Sequence, residues 1–289
     1  EDGHGVMENK ALAAWWYCNA AERGCLDAMF RYAMMRQNGD GVLIDKKEAI
    51  ACFTLAAKRN HQDALLYCAM IYECGDGVDV NYKLAARYTK KCAMLGNPIA
   101  MYNLGVYLHN GLYYRKNLAE AFKWFKKAAQ LGNQKAALAL GLAYKYGYDG
   151  IRVDLKEAAK YFKMAADKGE LEAIENYAEM LRVGIGVEKN TMEAVRYLKK
   201  GVEMGEPEML FIYAEMLYEG EGVEKNLSEA AKYFKMAADR GHAEGMIRYG
   251  EMAMSGEGIE QNVYEGQSYL FTGYQNHAFE FVDVSLLTN

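Results

Sequence analysis

The chain has 289 residues, of which 52% are hydrophobic, and its formal net charge is −5. A negative net charge argues against a nucleic-acid-binding surface. No apolar run approaches the roughly 18–20 residues that cross a membrane, so no membrane span is expected.

Two kinds of residue recur along the chain at one spacing. A residue suited to ending a helix returns every 36 residues, or 37 in one case: Gly24, Asn60, Gly96, Gly132, Gly169, Gly205 and Gly241. A helix-capping residue returns in step with it: Asp45, Asn81, Asn117, Asp154, Asn190, Asn226 and Asn262. Two independent sets with the same spacing indicate a stack of similar repeats, each too small to bury its own apolar face.

In chain order, residues 3–9 look like the middle of a repeat, so the sequence is expected to start partway through one. A targeting signal preceding residue 1 would therefore not be contained in this sequence. Seven full helical pairs are predicted to follow: 25–60, 61–96, 97–132, 133–169, 170–205, 206–241 and 242–277. We expect a single solenoid domain over 1–278 and a tail or cap over 279–289.

The repeat at 206–241 shows how each repeat is expected to fold. Apolar residues at helical spacing predict a first helix of about twelve residues. The paired glycines at 220–222 supply the positive φ of a tight reversal. Asn226 is predicted to cap a second helix, with Glu229 completing a capping box, and Gly241 to end that helix in the left-handed conformation.

Two repeats depart from this pattern in the loop between their helices. In 97–132 one glycine is lost and Tyr113 and Tyr114 are gained, and in 133–169 the loop is one residue longer and contains Tyr148. Two interpretations of these changes are open. They could be neutral drift in exposed loops, or the tyrosines could form a local contact patch.

The cysteines lie in the first third of the chain: Cys18, Cys25, Cys52, Cys68, Cys74 and Cys92. A disulfide framework in a repeat protein should recur once per repeat, whereas no two of these residues are one period apart. The pattern favours free thiols in a reducing compartment and so predicts a cytoplasmic location, although the even number keeps disulfides open.

One set of residues carries a family resemblance and is clearest near the end of the chain: Tyr213, Ala214, Leu217, Gly220, Gly222, Val223, Asn226, Ala230, Ala231, Tyr233, Phe234, Ala237, Ala238 and Gly241. This pattern resembles the Sel-one-like repeat (SLR) family, a relative of the tetratricopeptide repeat, over residues 3–277. The resemblance implies an all-α fold, an α/α superhelical solenoid of about seven helix–turn–helix repeats of 36 residues. It also implies a right-handed superhelix with the first helix of each pair lining the concave side.

The same resemblance implies a non-enzymatic adaptor that binds a protein or peptide partner. An interaction region of a larger signalling, quality-control or host-interaction protein is an alternative. Some secreted members of the family are described as β-lactamase-like and carry one disulfide per repeat. This chain has neither a recurring cysteine pair nor a Ser-x-x-Lys motif, which argues against such a hydrolase.

The first helices would present two columns of residues to a concave groove. The earlier column is Phe30, Leu66, Tyr102, Leu138, Glu175, Phe211 and Ile247, and the later column is Met34, Met70, Val106, Leu142, Glu179, Glu215 and Glu251. Flexible Met side chains suit an adaptable apolar contact, whereas the carboxylates that begin at Glu179 favour a basic partner in the C-terminal half. The apolar residues could instead pack on neighbouring first helices, and the glutamates could form an ordinary solvated face.

No motif for catalysis, cofactor binding or metal binding stands out. The glycine loop 184–189 lacks the Gly-Lys-Ser/Thr ending of a phosphate loop and recurs at 220–225, which is typical of a turn. The five histidines are scattered, and none has another ligand at i, i+4 spacing. We therefore expect no catalytic, metal-binding or cofactor-binding residues, and no cofactor.

Overall fold

The computed structural model describes residues 8–286, apart from the side chains of Asp149 and of residues 277–286. Residues 3–7, expected to belong to an incomplete repeat, and the last three residues of the tail lie outside the described residues. Within the described part every regular element is helical, with one 3₁₀ turn at Tyr148–Gly150. The α-helices are α1 (Lys10–Glu22), α2 (Leu26–Asn38), α3 (Lys46–Lys58), α4 (Gln62–Cys74), α5 (Tyr82–Met94), α6 (Pro98–Asn110), α7 (Leu118–Gln130), α8 (Gln134–Tyr146), α9 (Leu155–Ala166), α10 (Leu171–Val183), α11 (Thr191–Met204), α12 (Pro207–Glu219), α13 (Leu227–Ala238), α14 (Ala243–Ser255) and α15 (Val263–Leu286).

These helices form the seven predicted pairs, from α2 with α3 to α14 with α15, and α1 takes the place of a second helix before them. The seven predicted helix terminators all adopt positive φ, from 71° at Asn60 to 95° at Gly96. Only glycine enters this region without steric cost, and asparagine is the commonest substitute. The period therefore marks the ends of the second helices, as predicted.

The loops inside the pairs reverse direction through two positions of positive φ. Gly220 and Gly222 show φ of 78° and 73° in the loop between α12 and α13. In the loop after α6, Gly111 keeps the first position, but Tyr113 occupies the second with φ of 61°. A tyrosine in this region is uncommon and is held there by the contacts described below.

The predicted capping box forms only in its forward half. The Asn226 side chain accepts the backbone N–H of Glu229 at 3.0 Å, as predicted. The backbone N–H of Asn226, however, donates to the carbonyl of Leu217 at 2.9 Å and closes the loop. The Glu229 carboxylate therefore accepts from the Asn226 side-chain amide instead, at 3.5 Å.

Small residues bring the helices of a pair close together, and aromatic rings fill the space between them. Ala158 and Ala230 are fully buried in α9 and α13, as are the rings of Phe162 and Phe234. A Cβ atom added to Gly141 would lie 2.6 Å from the Phe162 ring. Side chains at these positions are therefore limited in size by close packing.

The helices gather into two compact units, an N-terminal unit of residues 1–137 and a C-terminal unit of residues 138–289. In the C-terminal unit α15 continues past residue 278 to Leu286 without a break, since His277 stands where earlier repeats have a left-handed terminator. The tail's role as a cap stays a prediction. All six cysteines are free thiols. Among the described helices, none combines the length and the apolar character that a membrane crossing requires.

Candidate interaction groove

The two predicted columns occupy fixed places on the first helices, the fifth and the ninth residue of each. In α2 these are Phe30 and Met34, and in α12 they are Phe211 and Glu215. Twelve of the fourteen column residues are half-buried, while Met70 and Glu251 are exposed. The columns are therefore neither hydrophobic core nor fully solvated surface.

In the N-terminal unit the earlier column is partly packed against neighbouring rings. Phe30 lies 5.4 Å from Phe53, and Tyr102 lies 5.8 Å from Phe125, between ring centroids. Both contacts are made with the second helix of the same repeat. The alternative left open by the sequence, packing on a neighbouring first helix, is seen at Phe30, whose ring centroid also lies 6.0 Å from that of Tyr67 in α4. In the later column Met70 is more exposed to solvent, with 45% of its surface accessible.

Two clefts in the N-terminal unit are bordered by residues of the earlier column. One, of about 190 Å³, is lined by Phe30 with Asp27, Arg31, His61 and Asp63. The other, of about 420 Å³, lies where α6 and α8 begin and is lined by Pro98, Ile99, Tyr102, Asn103, Gly132, Asn133, Gln134 and Lys135. Each cleft combines an aromatic ring with polar side chains, so it offers both an apolar contact and hydrogen-bonding groups.

His61 ties α4 to the preceding first helix, α2. Its Nδ1 accepts the backbone N–H of Ala64 at 3.2 Å, so the ring proton lies on Nε2, which donates to Asp27 Oδ1 at 2.9 Å. The imidazole also stacks on Phe30 with centroids 5.3 Å apart. His61, which has no second metal ligand at i, i+4 spacing in the sequence, is therefore a helix cap and an inter-repeat contact.

His242 repeats this arrangement in the C-terminal unit. Its Nδ1 accepts from Gly245 N–H at 3.0 Å, and its Nε2 donates to Glu208 Oε2 at 2.8 Å. The ring stacks on Phe211 at 4.6 Å. The hydrogen bond from His242 lowers the pKa of the Glu208 carboxyl, although burial opposes it. Both histidines directly precede a first helix, and each has an acidic residue 34 positions before it in the sequence. This recurring spacing was visible in the sequence, but a search for metal-ligand spacing does not find it.

Two carboxylates of the later column are paired with arginines. Glu179 accepts from Arg182 at 2.9 Å and 3.3 Å, and Arg182 also lies 3.6 Å from Glu221 of the next repeat. Arg248 lies 3.5 Å from Glu251. Both pairs have i, i+3 spacing, from which they could have been predicted. The acidic column is thus interrupted by positive charge.

Glu175 and Glu215 differ from these paired carboxylates. Neither makes a hydrogen bond or an ion pair within 4 Å to the described part of the chain. Burial raises the pKa of Glu215, with Glu219 and Glu208 adding to the increase and Arg248 and Arg182 opposing it. Burial likewise raises the pKa of Glu175, assisted by Glu208 and Glu172 and opposed by Lys145. Two half-buried carboxylates therefore lack a close cation.

The loop tyrosines make internal contacts. Tyr113 donates to Glu73 Oε1 at 3.3 Å and stacks on Tyr82 at 5.0 Å. Tyr114 donates to the carbonyl of Ala86 at 2.9 Å. Tyr148, in the C-terminal unit, is exposed and lies 5.3 Å from Tyr146. The first two tyrosines therefore pack against the preceding repeat, and only Tyr148 is largely open to solvent.

Within the part of the chain that the structure describes, no group of three or more metal-ligating side chains comes together. The histidines at positions 61 and 242 are used as caps, as shown above. The candidate site therefore consists of the two clefts of the N-terminal unit and the charged side chains on the first helices of the C-terminal unit.

The chain is similar to proteins of one repeat family. A family model for the Sel1 repeat matches residues 1–25, 26–61, 62–97, 98–133, 134–170, 171–206, 207–242 and 243–271. A protective antigen of uropathogenic Escherichia coli with an SLR fold is 26% identical, with a TM-score of 0.82 over 91% of this chain and 56% of its own. A Sel1 repeat protein from Oxalobacter formigenes is also 26% identical, with a TM-score of 0.67 over 91% of this chain and 76% of its own. This chain thus spans little more than half the length of the first structure. A search of curated proteins gives no match.

Proposed function

This chain belongs to the Sel1 repeat family, and on that premise we propose that it is a scaffold that holds a protein or peptide partner along the two columns of its first helices. Sel1 repeat proteins generally mediate protein–protein interactions. The observation that carries the proposal is the pair of clefts bordered by Phe30 and Tyr102, which give a partner's side chains a place to enter.

We propose that the partner presents basic side chains to the C-terminal unit. Glu175 and Glu215 support this, because burial without a close cation is unfavourable for a carboxylate. A lysine or arginine of a partner would supply the missing charge. The neighbouring carboxylates at 179 and 251 already have arginines and would contribute less.

A reversal of charge along the later column tests this proposal. The partner is first identified by mass spectrometry of proteins captured on the immobilised chain. Its affinity is then measured for the triple variant Glu179→Lys, Glu215→Lys and Glu251→Lys at two salt concentrations. We expect a loss of affinity and a weaker salt dependence, since the favourable charge contacts are removed.

Three loop glutamates provide the matched control. Glu188, Glu224 and Glu260 are exposed and lie in the same three repeats, so replacing them with lysine makes the same change in net charge. If the control weakens binding as much as the column variant, the effect is one of net charge alone. Unchanged affinity in the column variant would exclude binding along the acidic column.

Members of this family are typically non-catalytic, and we propose the same for this chain. Turnover of a chromogenic lactam by the purified protein would contradict this proposal. The free cysteines support the further proposal that the chain resides in a reducing compartment. Protein isolated without reductant should then show all six thiols as reactive after denaturation.

A further inference from the structure

A cleft of about 290 Å³ opens in the N-terminal unit among α1, α2 and α3. Its lining includes Cys18, Glu22, Tyr32 and Cys52. None of its lining residues belongs to the two groove columns, so this cleft is a separate feature of the molecule. We call it the Cys52 cleft.

The cleft lies where the other repeats have an aromatic ring. Cys52 is the seventh residue after the N-cap of its second helix. In every other repeat this position holds an aromatic residue: Trp16, Tyr88, Trp124, Tyr161, Tyr197, Tyr233 and Tyr269. Replacing an aromatic ring by a thiol removes most of the side-chain volume at this place.

Three repeats of the C-terminal unit show what fills the equivalent space. Rings meet edge to face in Tyr177–Tyr197, Tyr213–Tyr233 and Tyr249–Tyr269, with centroids 5.0, 5.0 and 4.9 Å apart. Tyr32 corresponds to the first member of each pair, since it is likewise the seventh residue of its first helix. Among these four first-helix tyrosines, Tyr32 alone has a cysteine at the corresponding position of the second helix, and it lines the cleft.

The acceptor for a phenol hydroxyl is also in place. Tyr197 donates to Asp167 at 2.6 Å, and Tyr269 donates to Asp239 at 2.5 Å. Each of these acceptors lies 30 residues before its tyrosine. Counting 30 residues back from Cys52 gives Glu22, which lines the cleft. The cleft therefore keeps the two partners of a tyrosine ring and lacks the ring itself.

The charges beside Tyr32 do not oppose a neutral ring, and the cleft is also lined by Arg59, which follows the end of α3. Arg36 forms an ion pair with Glu48, and Tyr32 donates to the same carboxylate at 3.2 Å, so Glu48 is engaged. Burial, with help from Glu48, raises the pKa of the Cys52 thiol, which is therefore uncharged at neutral pH. An engineered cavity of about 150 Å³ holds benzene, so the volume of the cleft is sufficient for a phenol.

We propose that the Cys52 cleft binds a tyrosine side chain of a partner polypeptide, with its ring edge to face on Tyr32 and its hydroxyl donating to Glu22. The incoming ring would occupy the place that Tyr197 and Tyr269 fill in their own repeats. Edge-to-face aromatic contacts and a hydrogen bond to a carboxylate both favour such a ligand. This site would act in addition to the first-helix columns.

Titration with small phenols tests the proposal without knowledge of the partner. The probes are p-cresol, which is the tyrosine side chain alone, toluene, which lacks the hydroxyl, and N-acetyltyrosinamide, which carries the peptide groups. We expect saturable p-cresol binding, with nuclear magnetic resonance shifts at Tyr32 and Met29, which lines the cleft. N-acetyltyrosinamide should compete with p-cresol, and toluene should bind more weakly.

Three variants assign the binding to the cleft. Cys52→Tyr supplies the chain's own ring and should abolish p-cresol binding, whereas Cys52→Ser keeps the space and should retain it. Glu22→Gln should weaken p-cresol binding roughly fivefold and leave toluene unchanged, because only the hydroxyl contact is altered. Circular dichroism confirms that each variant is folded.

Three results would overturn the proposal. The first is an absence of saturable p-cresol binding to the unaltered chain. The second is p-cresol binding to folded Cys52→Tyr that is as strong as binding to the unaltered chain. If Cys52→Tyr does not fold, an unchanged p-cresol affinity of Glu22→Gln takes the place of this result. The third is p-cresol binding with which N-acetyltyrosinamide does not compete, since this would leave only a free phenol as ligand. None of these results bears on the columns, whose test uses other residues.

Discussion

Gly105 marks a close approach between a first helix and the second helix of its repeat. A Cβ atom added there would lie 2.5 Å from Cε1 of Phe125. Both residues belong to the N-terminal unit, and the Phe125 side chain is buried. The ring has little room to retreat, so the absence of a side chain at residue 105 is a packing requirement.

We therefore expect Gly105→Ala to destabilise the chain by ~1–3 kcal/mol despite the better helix propensity of alanine. Urea unfolding measures the change. Phe125→Leu is the control background: with a smaller side chain opposite, Gly105→Ala should cost much less. Equal costs in the two backgrounds would contradict the packing argument.

Glu215, also at the scale of the residue, lowers the stability of the folded state. Burial raises the pKa of its carboxyl above the ordinary value of 4.5, so the folded state binds a proton more readily than the unfolded state. The ionised carboxylate is therefore unfavourable for folding at neutral pH. This unfavourable contribution falls as the pH decreases through the raised pKa and is gone below about 4.5.

Glu215→Gln should accordingly raise the melting temperature at pH 7, and the gain should shrink as the pH falls to 4.5. Glu224→Gln, an exposed loop change in the same repeat, should alter the melting temperature little at any pH. Thermal unfolding over pH 4–7 gives both comparisons. A destabilising effect of Glu215→Gln at pH 7 would show that the carboxylate has a stabilising partner.

At the scale of the element, Asn226 holds the start of α13 through its side chain and, separately, through its backbone. Its side chain accepts from Glu229 N–H, and its backbone N–H closes the preceding loop on Leu217. A substitution of the side chain removes the first contact and leaves the second.

Asn226→Ala should thus destabilise the chain by ~1 kcal/mol, the usual cost of a lost N-cap. Asn226→Asp keeps an acceptor oxygen and should be close to the unaltered chain. Chemical denaturation compares the three proteins. A loss much larger than that of a single cap would mean that the loop bond to Leu217 also depends on the side chain.

The ends of these elements could be predicted from the sequence because they depend on local chemistry. The Asn226 side chain caps the backbone three residues further on, and Gly241 acts through its own backbone geometry, so a single repeat identifies both. The reverse half of the capping box could not be predicted, because the bond from Asn226 to Leu217 depends on how the loop closes.

Contacts between repeats were harder still to predict. Arg182 reaches Glu221 across 39 residues, and the Cys52 cleft becomes visible only once the rings of Tyr177 and Tyr197 are seen to meet. The period showed which positions correspond, whereas the structure showed which of them touch. The column residues were placed correctly on the first helices, but their role in binding stays a prediction.

At the scale of the whole molecule, both units bury apolar residues at equivalent positions of their repeats. Leu65 in α4 and Leu210 in α12 occupy the same place in their first helices, and both are fully buried. In a repeat protein, stability is approximately a sum of terms for each repeat and its neighbours. A loss of packing at one of these leucines should therefore weaken the adjacent helices more than distant ones.

The variants Leu65→Ala and Leu210→Ala test this with one chemical change at two equivalent positions. Each should cost ~2–5 kcal/mol locally, because it removes buried methyl groups and leaves a cavity. Amide hydrogen exchange should increase around α3–α5 in the first variant and around α11–α13 in the second, since local opening follows local stability. The same exchange pattern in both variants would show instead that the chain unfolds as one cooperative body.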